Sequence, residues 1–204
     1  VLINRRKTRL MNLSPDQLRK KELHFRLLGF LPLVFFLAQA IHYWRLNEFG
    51  NMLWVCNIGN LLMALGIFLK LPRLIRVAVI WTVPGLVVWF VYVVLPWGMF
   101  LSSILAHLGG FTVGIIALRQ VRMDRVSWVF ALAWYFLVQF LSRLFTSAAL
   151  NVNVAHTVGP GWQQTFSSYW SFWVVLALIA VLLMVALNWI FYKLWPETKE
   201  LVTH

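Results

Sequence analysis

The stretch 100-FLSSILAHLGGFTVGIIAL-118 decides the fold. It is apolar from end to end apart from a few small polar residues and one ionisable side chain, His107. It is also about as long as the ~20 residues a helix needs to cross a bilayer. Five further runs read the same way, so the spans fall at about 26–44, 51–69, 74–95, 99–118, 127–150 and 168–192. The 204 residues are 61% hydrophobic and only 12% charged, with a mean hydropathy of +0.78. A soluble domain carries about 25% charged residues. The expectation is an all-α, polytopic six-helix transmembrane bundle, with a basic interfacial segment at 1–25, a membrane domain at 26–195 and a tail at 196–204.

The net charge of +12 would suggest a nucleic-acid partner in a soluble protein. Here the cations sit in short connectors between apolar runs, and no nucleic-acid-binding motif accompanies them, so a nucleic-acid partner is not expected. Arg5, Arg6, Lys7, Arg9, Arg19, Lys20, Lys21 and Arg26 precede or open the first span. Lys70, Arg73 and Arg76 join spans two and three, Arg119, Arg122 and Arg125 join four and five, and Lys193 and Lys199 close the chain. The opposite connectors hold only Arg45. The positive-inside rule then places both termini in the cytoplasm, in what reads as a bacterial inner membrane, with anionic headgroups facing the basic connectors. The first apolar run is too long and too flanked by charge for a cleavable signal peptide.

Ser14-Pro-Asp-Gln17 has the form of a capping box with proline at the first helical position, which predicts a short amphipathic helix over 15–25 at the lipid surface. Trp44, Trp54, Trp97, Trp128, Trp162 and Trp195 fall near span ends, as an interfacial aromatic belt requires. Pro84 predicts a kink in the third span. The connector 151–164 is uncharged and carries Gly159, Pro160 and Gly161, so Asn151, Asn153 and His156 are candidates for a lid or outer mouth.

A polar side chain inside a span is costly and marks a candidate functional site. At about 1.5 Å of rise per residue, Cys56 and Asn57 lie about 8–9 Å, Asn60 about 13 Å, Ser103 about 6 Å, His107 about 12 Å and Arg143 about 10 Å below the outer boundary. Gln39 and His42 share that outer half. Cys56 with Asn60, Ser103 with His107, and Arg143 with Ser147 are i, i+4 pairs, each expected on one helix face. The plain alternative is that Asn, Ser and His tie helices together, that Cys56 is a small buried hydrophobe and that Arg143 snorkels to headgroups.

If the set does converge, its chemistry is nucleophilic. An imidazole can take the proton of a thiol, so His107 is the candidate base and Cys56 the candidate nucleophile. Asn57, Asn60 or Ser103 could orient the imidazole or donate to an oxyanion. Arg143 could hold a lipid headgroup. A nucleophile at that depth suits the acyl ester of a membrane phospholipid. No span holds Asp or Glu, which argues against an ion-coupled transporter. One cysteine excludes an intrachain disulfide and a Cys-rich metal centre, and neither a metal nor a cofactor is expected. Two readings stay open. One is a lipid acyl transferase or esterase; the other is a non-enzymatic membrane subunit or lipid-binding protein, in either case as a monomer or a homo-oligomer.

The segments Leu53-Trp-Val-Cys56-Asn57-Ile-Gly-Asn60, Trp81-Thr-Val-Pro-Gly85, Ile104-Leu-Ala-His107-Leu-Gly-Gly110 and the stretch running into Asn151-Val-Asn153 resemble, in order and spacing, the YwaF-like family of bacterial integral membrane proteins. That family is similar to eukaryotic transmembrane acyltransferases that move acyl chains between phospholipids, and more distantly to intramembrane lipid-ester hydrolases with a Thr/His pair. The resemblance covers about residues 50–155. It implies a nucleophile at Cys56 and a catalytic histidine at His107. The family's Asn-Tyr after the fifth span is replaced here by Asn151-Val-Asn153.

Overall fold

The computed structural model describes residues 14–94 and 100–197, with the side chains of 92–94 left aside. Arg5, Arg6, Lys7, Arg9, Trp97 and Lys199 therefore lie outside the described residues, as does most of the tail. Every named element is helical: α1 (Pro15–Leu28), α2 (Phe30–Arg45), a 3₁₀ turn (Phe49–Leu53), α3 (Val55–Phe68), α4 (Pro72–Val94), α5 (Leu101–Val121), α6 (Ser127–Phe145), a second 3₁₀ turn (Val152–Val154) and α7 (Tyr169–Leu194).

The capping box forms as the sequence requires. Ser14 Oγ accepts from Gln17 N at 3.3 Å, and Gln17 Oε1 accepts from Ser14 N at 3.0 Å. The helix it starts runs past residue 25. Gly29 keeps right-handed angles (φ −65°, ψ −20°), so α1 leads directly into α2 and the pair forms a 31-residue helical stretch. A Cβ on Gly29 would stand 3.0–3.1 Å from Phe68 and Ile67, which shows how closely α3 passes.

Among the described residues, five helices are long and apolar enough to cross a membrane: α1–α2 together, α4, α5, α6 and α7. The run at 51–69 departs from expectation. Its first residues form the 3₁₀ turn, and α3 has only 14 residues, about 21 Å at the helical rise. Cys56 therefore lies in the first turn of α3. The run at 127–150 also ends early, at Phe145, because Thr146 turns extended (φ −121°, ψ 157°) and its hydroxyl donates to Ser142 O at 2.6 Å. Arg143 is thus in the last turn of α6, and Ser147 lies beyond the helix, so the expected Arg143–Ser147 face does not exist. Hydropathy is blind to both breaks, since turn residues such as Met52, Leu53, Ala148 and Ala149 are as apolar as the helices they interrupt.

α4 is the hub of the bundle and packs against α3, α5, α6 and α7. Ile75, Val77, Ala78, Val79, Ile80 and Trp81 are all essentially fully buried, as a helix segment enclosed on every side must be. The helix continues through Pro84. At its start Arg76, 6% exposed, is the hub of the basic end. Its Nη1 donates to Asp124 (2.6 Å), Nη2 to Glu197 (2.5 Å) and Val121 O (3.1 Å), and Nε to Arg122 O (2.6 Å). Asp124 in turn accepts from the backbone N–H of Val126 and Ser127 at the start of α6. Burial by itself raises the Asp124 carboxyl. The bonds from Ser127 and Val126 and the Arg76 charge outweigh that, so it is held below the ordinary carboxylate range.

Candidate functional site

The α3 start is built by a residue almost a hundred positions away. No side chain of its own caps α3. Asn153 does so instead: its Oδ1 accepts from Val55 N (3.1 Å), and its Nδ2 donates to Leu53 O (2.7 Å) and Ser142 Oγ (2.9 Å). Asn151, Asn153 and Val154 all have left-handed φ angles, 41°, 52° and 56°. Asparagine tolerates this region, whereas a β-branched valine there is strained. Asn151 Oδ1 accepts from the N–H of His156 and Thr157, and His156 Nε2 contacts Thr146 Oγ1 at 3.2 Å. Val152 and Asn153 are buried. The Asn151–His156 stretch is therefore part of the wall of the bundle, pinned to α3 and α6.

The arrangement at His107 begins with a change of helical pitch. Residues Leu105–Gly109 form a π-turn inside α5, which widens the helix and redirects its carbonyls toward neighbours. Asn60 Nδ2 exploits this, donating to Ala106 O and to Cys56 O, both at 3.0 Å. Gly110 makes the approach possible, because a Cβ there would sit 2.6 Å from Asn60 Oδ1. Gly109 does the same for α2, where a Cβ would fall 2.7 Å from the Phe35 ring. Asn57 Nδ2 donates to Asn51 O at 3.0 Å. The Asn57 and Asn60 Oδ1 atoms are buried with no partner among the described residues. Both hydrogens of the Asn60 amide are thus committed to carbonyls, which suits it to holding α3 against α5 and not to donating to an oxyanion.

His107 Nδ1 lies 2.8 Å from Ser103 O. A carbonyl can only accept, so Nδ1 carries the proton and Nε2 keeps the basic lone pair of the neutral ring. The ring stacks on Trp89 (centroids 5.3 Å apart, planes at 14°), and Trp89 Nε1 donates to Ser103 Oγ at 2.8 Å. Ser103 therefore serves His107 through its backbone and Trp89 through its hydroxyl. Cys56, Gly59, Thr82, Ala106 and His107 line one narrow crevice, too tight to admit a water molecule. Gly85 leaves room for Cys56 against α4, where a Cβ would lie 3.3 Å from the cysteine Cβ.

The structure thus brings Cys56 and His107 to one crevice, with Asn60 and Ser103 beside it. It does not bring Arg143 there. Arg143 Nη1 donates to Ala155 O at 2.7 Å, and its guanidinium lies 5.2 Å from the Tyr169 ring and 5.6 Å from that of Trp170, at the loop-bearing end of α6. Asn151, Asn153 and His156 belong to that end as well. Gln39 pairs with Ser102, and His42 stacks on Phe100 at 3.9 Å. Two neighbours of His107 escape a sequence reading, Trp89 and Thr82. The Thr82 hydroxyl donates to Val79 O at 2.8 Å, so its proton is already engaged. An aromatic or threonine in an apolar run carries no mark of its role. No group of three or more His, Cys, Asp or Glu among the described residues is placed to hold a metal ion.

These features define an all-α, multi-pass membrane protein with a thiol and an imidazole lining one intramembrane crevice. The chain matches no family model, no curated protein and no solved structure.

Proposed function

We propose that this protein is a lipid acyl transferase or esterase of the bacterial plasma membrane, with both termini cytoplasmic, Cys56 as nucleophile and His107 as general base. The observation that supports it best is the shared crevice: a thiol and an imidazole from separate helices, the imidazole held through Nδ1 so that Nε2 remains basic. In the reaction the Cys56 proton passes to Nε2 as sulfur attacks the acyl carbonyl carbon. Desolvation opposes a free thiolate, so proton transfer and attack proceed together, and the positive end of α3, in whose first turn Cys56 sits, favours the charge developing on sulfur. Collapse of the tetrahedral intermediate breaks the ester C–O bond, and the imidazolium returns its proton to the departing alkoxide. An acceptor hydroxyl or water then attacks the thioester, again with His107 taking the proton, and releases the thiol.

A second reading has its own support. Ligand sites commonly measure about 300–1,000 Å³, whereas this crevice does not admit even a water molecule, and Asn57 and Asn60 both donate to backbone carbonyls. A non-enzymatic membrane subunit or lipid-binding protein would use the polar layer only to fix its helices. One experiment separates the two. Purified protein in nanodiscs is incubated with phospholipid carrying a labelled acyl chain, and the acyl-enzyme is trapped by acid quench and located by intact-mass and peptide analysis. The enzymatic reading requires a hydroxylamine-labile adduct on Cys56, absent in Cys56→Ala and in His107→Gln. No adduct, with both variants folded, overturns it.

A further inference from the structure

A second, open groove lies at the basic end, between α1 and α5, with room for about 450 Å³. Its lining is graded along α1. Lys20, Lys21 and His24 stand at one end, and Phe25 and Leu28 with Ile116 of α5 at the other. Offsets of three and four residues put these side chains on one stripe of α1. On the opposite stripe Glu22 pairs with Arg26 at 3.1 Å and with Lys70 of the α3–α4 connector. Among the described residues neither Lys20, Lys21 nor His24 has an ion-pair partner, and no acidic side chain lines the groove.

We propose that this groove binds one anionic phospholipid, its phosphate between Lys20 and Lys21 and the first part of an acyl chain along Phe25, Leu28 and Ile116. Two things on the molecule select that occupant. The uncompensated cations demand an anion. The apolar floor continues from them toward the membrane-crossing part of the α1–α2 stretch, so the ligand must be amphipathic and enter from the bilayer. A free phosphate would use only the cationic end and leave Ile116, 42% exposed, uncovered. The site is separate from the Cys56–His107 crevice and does not depend on its chemistry.

The test uses the full chain in neutral detergent, with dioleoyl phosphatidylglycerol and dioleoyl phosphatidylcholine as probes and retained lipid measured by native mass spectrometry. The glycerol lipid binds more tightly than the choline lipid, and K20Q/K21Q weakens it about thirty-fold, the effect of two lysines near an anionic surface. Ile116→Trp fills the apolar end and weakens the same lipid with every charge intact. Arg19→Gln, on the same helix but outside the groove, leaves binding within about three-fold by comparison. The substituted side chains are exposed, and unchanged melting and gel filtration verify the fold. Equal retention of both lipids, an equal loss in Arg19→Gln, or full competition by chain-free glycerol 3-phosphate would each overturn the proposal.

Discussion

Replacing Asn153 by alanine should loosen the start of α3 and thereby expose the already half-buried Cys56 further. The side chain is 5% exposed and makes three bonds, to Val55 N, Leu53 O and Ser142 Oγ. Each intramolecular bond contributes on the order of 1 kcal/mol net, and more where a buried partner is left unpaired. The Val55 bond is also the only side-chain cap of α3 among the described residues, and loss of a cap alone costs about 1 kcal/mol. Alanine must further adopt φ 52°, a penalty on the order of 1 kcal/mol that asparagine largely escapes. Together these give a destabilisation of about 3–4 kcal/mol, or on the order of 10 °C in melting temperature for a chain of this size. Cys56 is the sole cysteine, so maleimide labelling in detergent reports its exposure without background. The labelling rate should rise at least tenfold in Asn153→Ala. Asn153→Gly, which accepts the left-handed angle but makes no bonds, should recover about a quarter of the lost stability. An unchanged melting temperature together with an unchanged labelling rate would refute the view that this loop builds the α3 start.

Further outcomes follow from the same contacts. Gly110→Ala places a methyl 2.6 Å from Asn60 Oδ1, and should break the Asn60–Ala106 tie at a cost of about 1–3 kcal/mol; Asn60→Ala in the same chain should relieve part of it in a double-mutant cycle read by thermal unfolding. Arg76→Ala leaves Asp124 without its buried cation and should cost about 3 kcal/mol, whereas Glu197→Gln, at a half-exposed partner, should cost well under 1 kcal/mol. The Asp124 carboxyl is held below its ordinary range, so its contribution is complete above the unfolded value of about 3.9 and is lost as pH falls through the lower folded value. The melting difference between the parent chain and Asp124→Asn should accordingly be constant from about pH 5 to 8 and shrink below about pH 4. Trp89→Phe keeps a ring over His107 but removes the bond to Ser103; if the crevice is catalytic, acyl-enzyme formation should fall severalfold with little change in melting.

Much of the architecture is legible in the sequence because it depends on local quantities. The length of an apolar run sets whether a helix can cross hydrocarbon, and the clustering of cations in alternate connectors is visible without any coordinates. The capping box at Ser14–Gln17 forms as written, since its bonds span three residues. The breaks at 51–54 and at Thr146 were not legible, because their residues are as apolar as the helices on either side. Arg76 is the clearest case of a hidden role. Read along the chain it is one of several connector cations. In the fold it is buried and bound to the α5–α6 loop and to Glu197.

The candidate site divides in the same way. The sequence alone determined that a thiol, an imidazole and several amides lie within apolar runs, because burying such groups without purpose is costly. Only the tertiary structure decided that Cys56 and His107 share a crevice while Arg143 turns away to Ala155. The physical reason is rotational. Each residue turns a helix by about 100°, so the π-turn at Leu105–Gly109 and the late start of α3 reset which faces meet. That resetting depends on Gly110 and Asn60 on different helices and on Asn153 far along the chain, contacts that exist only once the helices have packed.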